Sequence, residues 1–300
     1  MLTILDTLRE AITEMVQDSL PEPQASLLLG MVLGVSPGFP AQFYESLRVT
    51  GTLHVVVVSG FNITVIINTL AGFLSFLPLR LRFFITVLFI TAFVLLVGPN
   101  PPVVRAAIMG SIGLLGTVLG RQRDALRTLL IASFIMLVFR PNWAGELSFQ
   151  LSFLATLGLI VLQPLFERVI PGKNLPLRGD FITTSAAQVM VWPLIAFHFG
   201  QVSLLSPVIN ALILWTVPLI TYLGLVTITI GSIIKGVNVL IFLPIRLFLD
   251  FFVGVVESFS PVKVGYFEIS PFSAVALVFY FAVLGGALWF LSQISVQKQK

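Results

Sequence analysis

Residues 54 to 64 read HVVVVSGFNIT, and the fold turns on how that stretch is placed: His54, Ser59, Gly60, Asn62 and Thr64 crowd the start of an apolar run that continues to residue 78. In lipid such a cluster is tolerated mainly where it faces protein, water or a substrate path. The run therefore reads as the first membrane span, with a polar mouth. Four valines followed by Ser59 and Gly60 also read as a break, with Ser59 capping a helix from Gly60 to Leu77. Asn62 would then lie in that helix's first turn, beside backbone N–H groups able to meet an anion.

Working outward, the whole chain carries the same signal. Of its 300 residues 57% are hydrophobic and 10% charged, against roughly a quarter charged in soluble domains. Several runs approach or exceed the ~20 residues that cross the hydrocarbon core. The expected fold is an all-α polytopic transmembrane bundle with spans at 54–78, 81–98, 102–120, 125–139, 147–166, 181–199, 204–234 and 272–292. Segment 237–257 is mixed, and its Arg246 and Asp250 stand at i and i+4, where they can neutralise one another on a helix. Counting it gives nine crossings, otherwise eight. Pro207 and Pro218 predict a broken or kinked helix within 204–234.

The organisation read from this is 1–53 as amphipathic helices, 54–292 as the membrane domain and 293–300 as a short basic tail. In 1–53, Asp6, Glu10, Glu14, Asp18, Glu22 and Glu45 outnumber Arg9 and Arg48, while Leu5, Leu8, Ile12, Val16 and Leu20 recur at helical spacing. Leu27 to Val35 is apolar but too short to span, so it reads as a second packing helix. Arg80, Arg82, Arg121, Arg123, Arg127, Arg168, Lys173, Arg178 and Lys235 fall on one side of alternating loops, against Arg140 on the other. The positive-inside rule puts the first side in the cytoplasm, the N-terminus outside and, if 237–257 crosses, the C-terminus inside.

With that orientation His54, Arg105, Glu146, Gln150, Ser152 and His198 lie near the outer ends of their spans, with Asn62, Asn210 and then Gln188 deeper. Together with Ser59 they are the candidate lining of a vestibule open to the outside. Arg105 has three readings: a pathway residue, a partner of Glu146, or a side chain snorkelling to the surface. Either histidine is also explained by a structural hydrogen bond, and Ser148, Ser152 and Thr156 by interhelical hydrogen bonding. Ala106, Gly110, Gly113, Thr117 and Gly120 make a small-residue face for close helix packing.

Catalysis finds little support. Ser59 and His54 are about 140° apart on a helix, too far for a nucleophile and its base. G-x-S-x-G, H-E-x-x-H and Walker lysine motifs are absent, as are cysteines, and two histidines do not suggest a metal centre. No cofactor and no enzymatic activity are expected.

Four blocks carry a resemblance: GTLHVVVVSGFNIT, PPVVRAAIMG followed by GRQRDAL, RPNWAGELSFQLSFLATLGLI, and PLIAFHFGQVSLLSPVINALI. In this order, over roughly residues 20 to 235, they resemble the competence domain of the ComEC family. The resemblance implies an inner-membrane channel for one strand of DNA during natural transformation, with a DNA receptor, a nuclease and a cytoplasmic motor as partners. By position it points to His54, Ser59, Gly60, Arg105, Phe149, Gln150, Ser152, Phe153, His198, Gly200 and Asn210. Asn62 stands where many relatives have a histidine, which argues against a metal there, and Ser148 where glycine is common. Full-length relatives add an extracytoplasmic nucleic-acid-binding-like domain and a metallo-β-lactamase-like nuclease. Without an HxHxDH motif no nuclease activity is expected, and the chain reads as an excised core or a minimal homologue. Charge alone does not suggest DNA, since the outer segment is acidic. Two other readings stay open: a small-solute transporter built on the break near Pro207 and Pro218, and a non-conducting scaffold of the uptake machine.

Overall fold

A computed structural model describes residues 2–35, 38–56, 60–122, 124–172, 175–234, 238–262, 265–270 and 273–297. Among them the chain is almost entirely helical. The helices are α1 (Leu2–Ser19), α2 (Gln24–Leu33), α3 (Ala41–Thr50), α4 (Gly60–Phe73), α5 (Leu79–Val97), α6 (Pro101–Val118), α7 (Ala125–Phe139), α8 (Leu147–Val161), α9 (Gln163–Val169), α10 (Arg178–Phe199), α11 (Ser206–Ile213), α12 (Thr216–Ile233), α13 (Asn238–Phe259) and α14 (Ala274–Gln297). Two short strands, β1 (Gln201–Ser203) and β2 (Tyr266–Glu268), pair antiparallel.

Five helices are long and apolar enough to cross a membrane: α5, α6, α10, α12 and α13 from Val239. The pair α8 and α9, bent by 43°, makes a sixth if it is one span. This is fewer than the eight or nine crossings expected. The difference lies in shorter apolar helices such as Gly60–Phe76 and Ala125–Phe139, which at 1.5 Å per residue reach only about 25 Å of a ~30 Å core. The mixed segment 237–257 lies on α13, where Arg246 and Asp250 approach to 3.4 Å and Asp250 also accepts from Gln24 Nε2 at 2.7 Å. The polar mouth straddles a helix start, with His54 before it and Gly60, Asn62 and Thr64 on α4. Gly51–Val56 is a run of turns and α4 starts at Gly60; the cap expected at Ser59 lies outside the described residues.

The largest core is centred on α2. Every residue from Ala25 to Leu33 is buried, as a helix apolar all round requires, and Gly34 in the left-handed region (φ 67°) ends it. Around α2 pack Ile12, Val16 and Leu20 of α1, Phe43 and Leu47 of α3, Val217 and Ile220 of α12, and Phe242, Ile245 and Phe252 of α13. The acidic N-terminal segment thus shares one core with the late helices. Its acidic side chains Asp6, Glu10, Glu14 and Asp18 stay exposed. Arg9 fixes α1 to the bundle by donating to Leu96 O (2.7 Å) and Leu95 O (3.1 Å), carbonyls at the C-terminal end of α5 that have no partner inside their own helix.

A second core joins Ile63, Ile66 and Ile67 of α4 to Ile90 and Phe93 of α5 and Val103 and Ala106 of α6. Here the small face of α6 is half used. Gly110 lies against Ile67 with no room for a Cβ. Farther along, Thr117 donates to Gly113 O of its own helix (3.1 Å), and a Cβ on Gly120 would meet nothing within 4 Å. A second close approach lies elsewhere: Gly158 of α8 sits on the backbone oxygen of Ala186 in α10. Arg178, at the start of α10, donates to Glu167 O and Ile170 O. Positions 158 and 167 therefore face 186 and 178, so α8 and α9 run antiparallel to α10.

Candidate functional site

The chain leaves α3 through Gly51 in the left-handed region (φ 69°), with Gly51 N donating to Arg48 O and Thr52 N to Leu47 O. Glycine is required here for a second reason. A Cβ at residue 51 would stand 2.8 Å from Ser206 Cβ and 3.0 Å from Ser203 Cβ. This approach brings the turn that carries His54 against the connection from α10 to α11. Gly51 O accepts from Ser206 Oγ at 3.1 Å, and His54 Nδ1 lies 3.1 Å from the same oxygen.

That connection explains the depth of the site. Gln188 of α10 touches Ser206 of α11, whereas Phe181 and Arg178 share an apolar cavity of about 290 Å³ with Val208, Ala211 and Leu212. So α11 runs antiparallel to α10 and begins three turns back from its end, about 16 Å along the axis. Residues 200 to 205 descend that distance without helix. Non-helical backbone at membrane depth is stable only where it is buried in protein or lines water, and here it packs on protein. Strand β1 pairs with β2 in the register Gln201↔Glu268, Val202↔Phe267, Ser203↔Tyr266. With side chains alternating, the ribbon puts Gln201, Ser203, Tyr266 and Glu268 on one polar face, toward Gly51 and Arg48, and Phe267 on the other.

Ser206 is the hub at the foot of this descent. Its hydroxyl donates to Gly51 O and accepts from Gln188 Nε2 and from Asn210 Nδ2 (3.1 Å). All three side chains are buried, and Gln188 Oε1 and Asn210 Oδ1 are left without a protein partner. Each such buried acceptor costs about 1–3 kcal/mol unless something donates to it, and ordered water commonly does so at polar buried sites. Ser206→Ala removes three hydrogen bonds at once and is expected to destabilise the protein by about 3 kcal/mol, read as a lower melting temperature in detergent. Ser206→Thr, which keeps the hydroxyl, should retain much of the stability.

A second cluster surrounds Arg105 on α6. Its Nε donates to Ser152 Oγ of α8 at 2.7 Å, Nη1 lies 3.5 Å from Met109 Sδ, and a Cβ on Gly60 would stand 2.8 Å from Nη2. The guanidinium therefore rests against the first residue of α4. Among the described residues it has no carboxylate within ion-pair distance. Two positive ends, a guanidinium and a helix N-terminus, meet there, and among the described residues the guanidinium has a hydroxyl and a thioether as side-chain partners.

The remaining candidates go elsewhere. Asn62 is buried and turns toward α2, donating from Nδ2 to Met31 O at 2.8 Å, with Oδ1 unpartnered. Glu146 is exposed at the start of α8 and accepts from Ser148 Oγ at 3.5 Å, while Gln150 donates to Ala144 O at 2.9 Å. His198 is exposed, its Nδ1 against Leu194 O of its own helix. The structure thus joins His54, Gln188 and Asn210 through Gly51 and Ser206, and Arg105 with Ser152. The sequence reading set Gln201 at the level of His198 but passed over Ser206, Arg48, Tyr266 and Glu268 as site residues. Ser206 had a signal, a Ser-Pro opening a helix; three-residue strands are too short for alternation to show.

Comparison with known proteins adds family-level similarity. The family model described as Competence protein matches residues 31–293. ComE operon protein 3 of Bacillus subtilis (strain 168) is 25% identical over 222 residues, covering 72% of this chain and 27% of that protein. A protein of Aquifex aeolicus (strain VF5) described as uncharacterized is 33% identical over 215 residues, covering 70% of this chain and 49% of that protein. The match thus spans about a quarter of one relative's length and half of the other's. No solved structure matches.

Proposed function

The chain belongs to the competence protein family, and from that premise we propose that it is the membrane-embedded part of a DNA-uptake machine and conducts a single strand of DNA inward across the cytoplasmic membrane. The family match over residues 31–293 is the observation that carries this reading. The geometry around Arg105 supports it. A polyanion needs positive charge that the protein has not already neutralised, and Arg105 of α6, against the start of α4, supplies it. The descent of 200–205 beside Gly51, Ser206 and Gln188 is the second polar element of the proposed path. In this reading the Arg-rich loops face the cytoplasm, the His54 turn faces outward, and receptor, nuclease and motor are separate partners.

The test is complementation. In a naturally competent bacterium whose own family member is deleted, this chain is expressed with the other domains of that family member supplied in trans, and uptake of labelled DNA into a nuclease-protected compartment is measured. Recovery of uptake is expected. Correct membrane insertion without uptake overturns the proposal. The interruption at Leu214–Trp215 between α11 and α12 favours a second reading, small-solute transport. Solute flux in proteoliposomes that is indifferent to added DNA would select it.

A further inference from the structure

One cavity stands apart from the Ser206 and Arg105 clusters. It measures about 510 Å³ and opens where α10 ends, among Arg48, Phe199, Gln201, Tyr266, Glu268 and Ser270. That volume is in the range of small-ligand sites. Its walls have two characters: Phe199, 57% exposed, the Tyr266 ring and Ile269 are aromatic or apolar, and Arg48, Gln201, Glu268 and Ser270 are polar.

The hydrogen-bonding capacity of the cavity is only partly spent. Tyr266 OH donates to Gln201 Oε1 at 2.9 Å, which uses the acceptor of that amide and leaves its NH2 group. Glu268, directly across the ribbon from Gln201, has no ion-pair partner among the described residues. Arg48 lies over the Tyr266 ring at 5.9 Å, and its charge is met by Glu45 at 3.0 Å. Among the described residues the unanswered charge in the cavity is therefore the Glu268 carboxylate. This is a poor place for a phosphate. It suits a planar ring that stacks on an aromatic wall and offers an N–H donor to the carboxylate, the pattern by which unpaired bases are read.

Resting on the DNA reading above, we propose that this cavity is a nucleobase site that holds an unpaired base bearing an exocyclic amino group. Glu268 accepts from that amino group, and Phe199 or Tyr266 stacks on the ring. Cytosine presents such an amino group. Thymine presents carbonyl oxygens in its place, which the carboxylate repels. The sugar-phosphate chain stays outside, so a base held here anchors a strand beside the turn that carries His54.

The experiment uses the full chain purified in detergent and fluorescence anisotropy with short oligo(dC) and oligo(dT) at equal salt. Oligo(dC) is expected to bind about tenfold more tightly, the discrimination of one good base-edge contact. Glu268→Ala should bring oligo(dC) down to the level of oligo(dT) and leave oligo(dT) little changed. Equal binding of the two oligonucleotides by the wild-type chain overturns the base site while leaving the DNA reading intact. So does a Glu268→Ala variant that binds both more tightly, which would mean that the carboxylate only repels phosphates. Binding of neither oligonucleotide overturns the base site, whereas the DNA reading stands or falls separately on complementation.

Discussion

Arg105→Ala is expected to lower DNA uptake by about 100-fold while the protein remains folded and inserted. The size follows from the cost of deleting one partner of a desolvated charge pair, roughly 2–5 kcal/mol. The separation of function from fold follows from the contacts. Arg105 is held by one hydroxyl of Ser152 and lies near one sulfur of Met109, so its removal leaves no buried carboxylate unpaired. Arg105→Lys keeps the charge but loses the planar fork that grips two phosphate oxygens, and should fall between wild type and alanine. Labelled-DNA uptake and melting in detergent are measured on the same preparations. Unchanged uptake in the alanine variant would remove Arg105 from the path, and a collapse of the melting temperature would make it a structural residue.

Gly30→Ala should be the most damaging single methyl in the molecule. On helix propensity alone the change is favourable by about 1 kcal/mol. Packing reverses the sign, because the new Cβ would overlap the backbone oxygen of Val56, and α2 cannot back away: on its other side Leu28 Cδ1 and Val32 Cγ2 already lie 2.7 and 2.8 Å from where a Cβ on Gly224 would be. Overpacking of this kind costs about 1–3 kcal/mol and occasionally more; a clash between two main chains at the centre of the largest core belongs at the upper end. Folded yield and melting temperature should both drop. Gly254→Ala on α13 is the control. A Cβ there meets nothing within 4 Å, so the propensity gain should survive.

These two residues also show how far local pattern reaches. Arg105 stood out because an arginine inside an apolar run is costly in lipid wherever it points. Its partner did not stand out. Glu146 and Ser152 are both polar residues at the start of the next inward-running span, and only the rotation of α8 against α6 puts Ser152 under the guanidinium and leaves Glu146 exposed. Asn62 makes the same point: its place near the start of α4 followed from the chemistry of Gly60, but its amide is spent on Met31 O, a carbonyl near the end of α2, 31 residues earlier.

The membrane class, the helical content and the family resemblance were legible in the sequence by itself, because each rests on composition or on the order of short blocks along the chain. The start of α4 at Gly60 was signalled in the same local way by its glycine, and Pro207 and Pro218 lie in the first turns of α11 and α12. The number of helices long enough to cross was less legible, since apolar runs continue through turns such as Gly51–Val56 without a change in hydropathy. What only the tertiary structure decided is the inside of the bundle: that the ten residues of α2 are its centre, that α11 folds back along α10, and that a two-stranded ribbon lines a polar cavity. All three depend on contacts between segments far apart in the chain. The polar stretch at 54 to 64 shows the division: its amino acids signal a helix start among polar groups, and Arg105, Ser206 and Met31 decide what surrounds those groups.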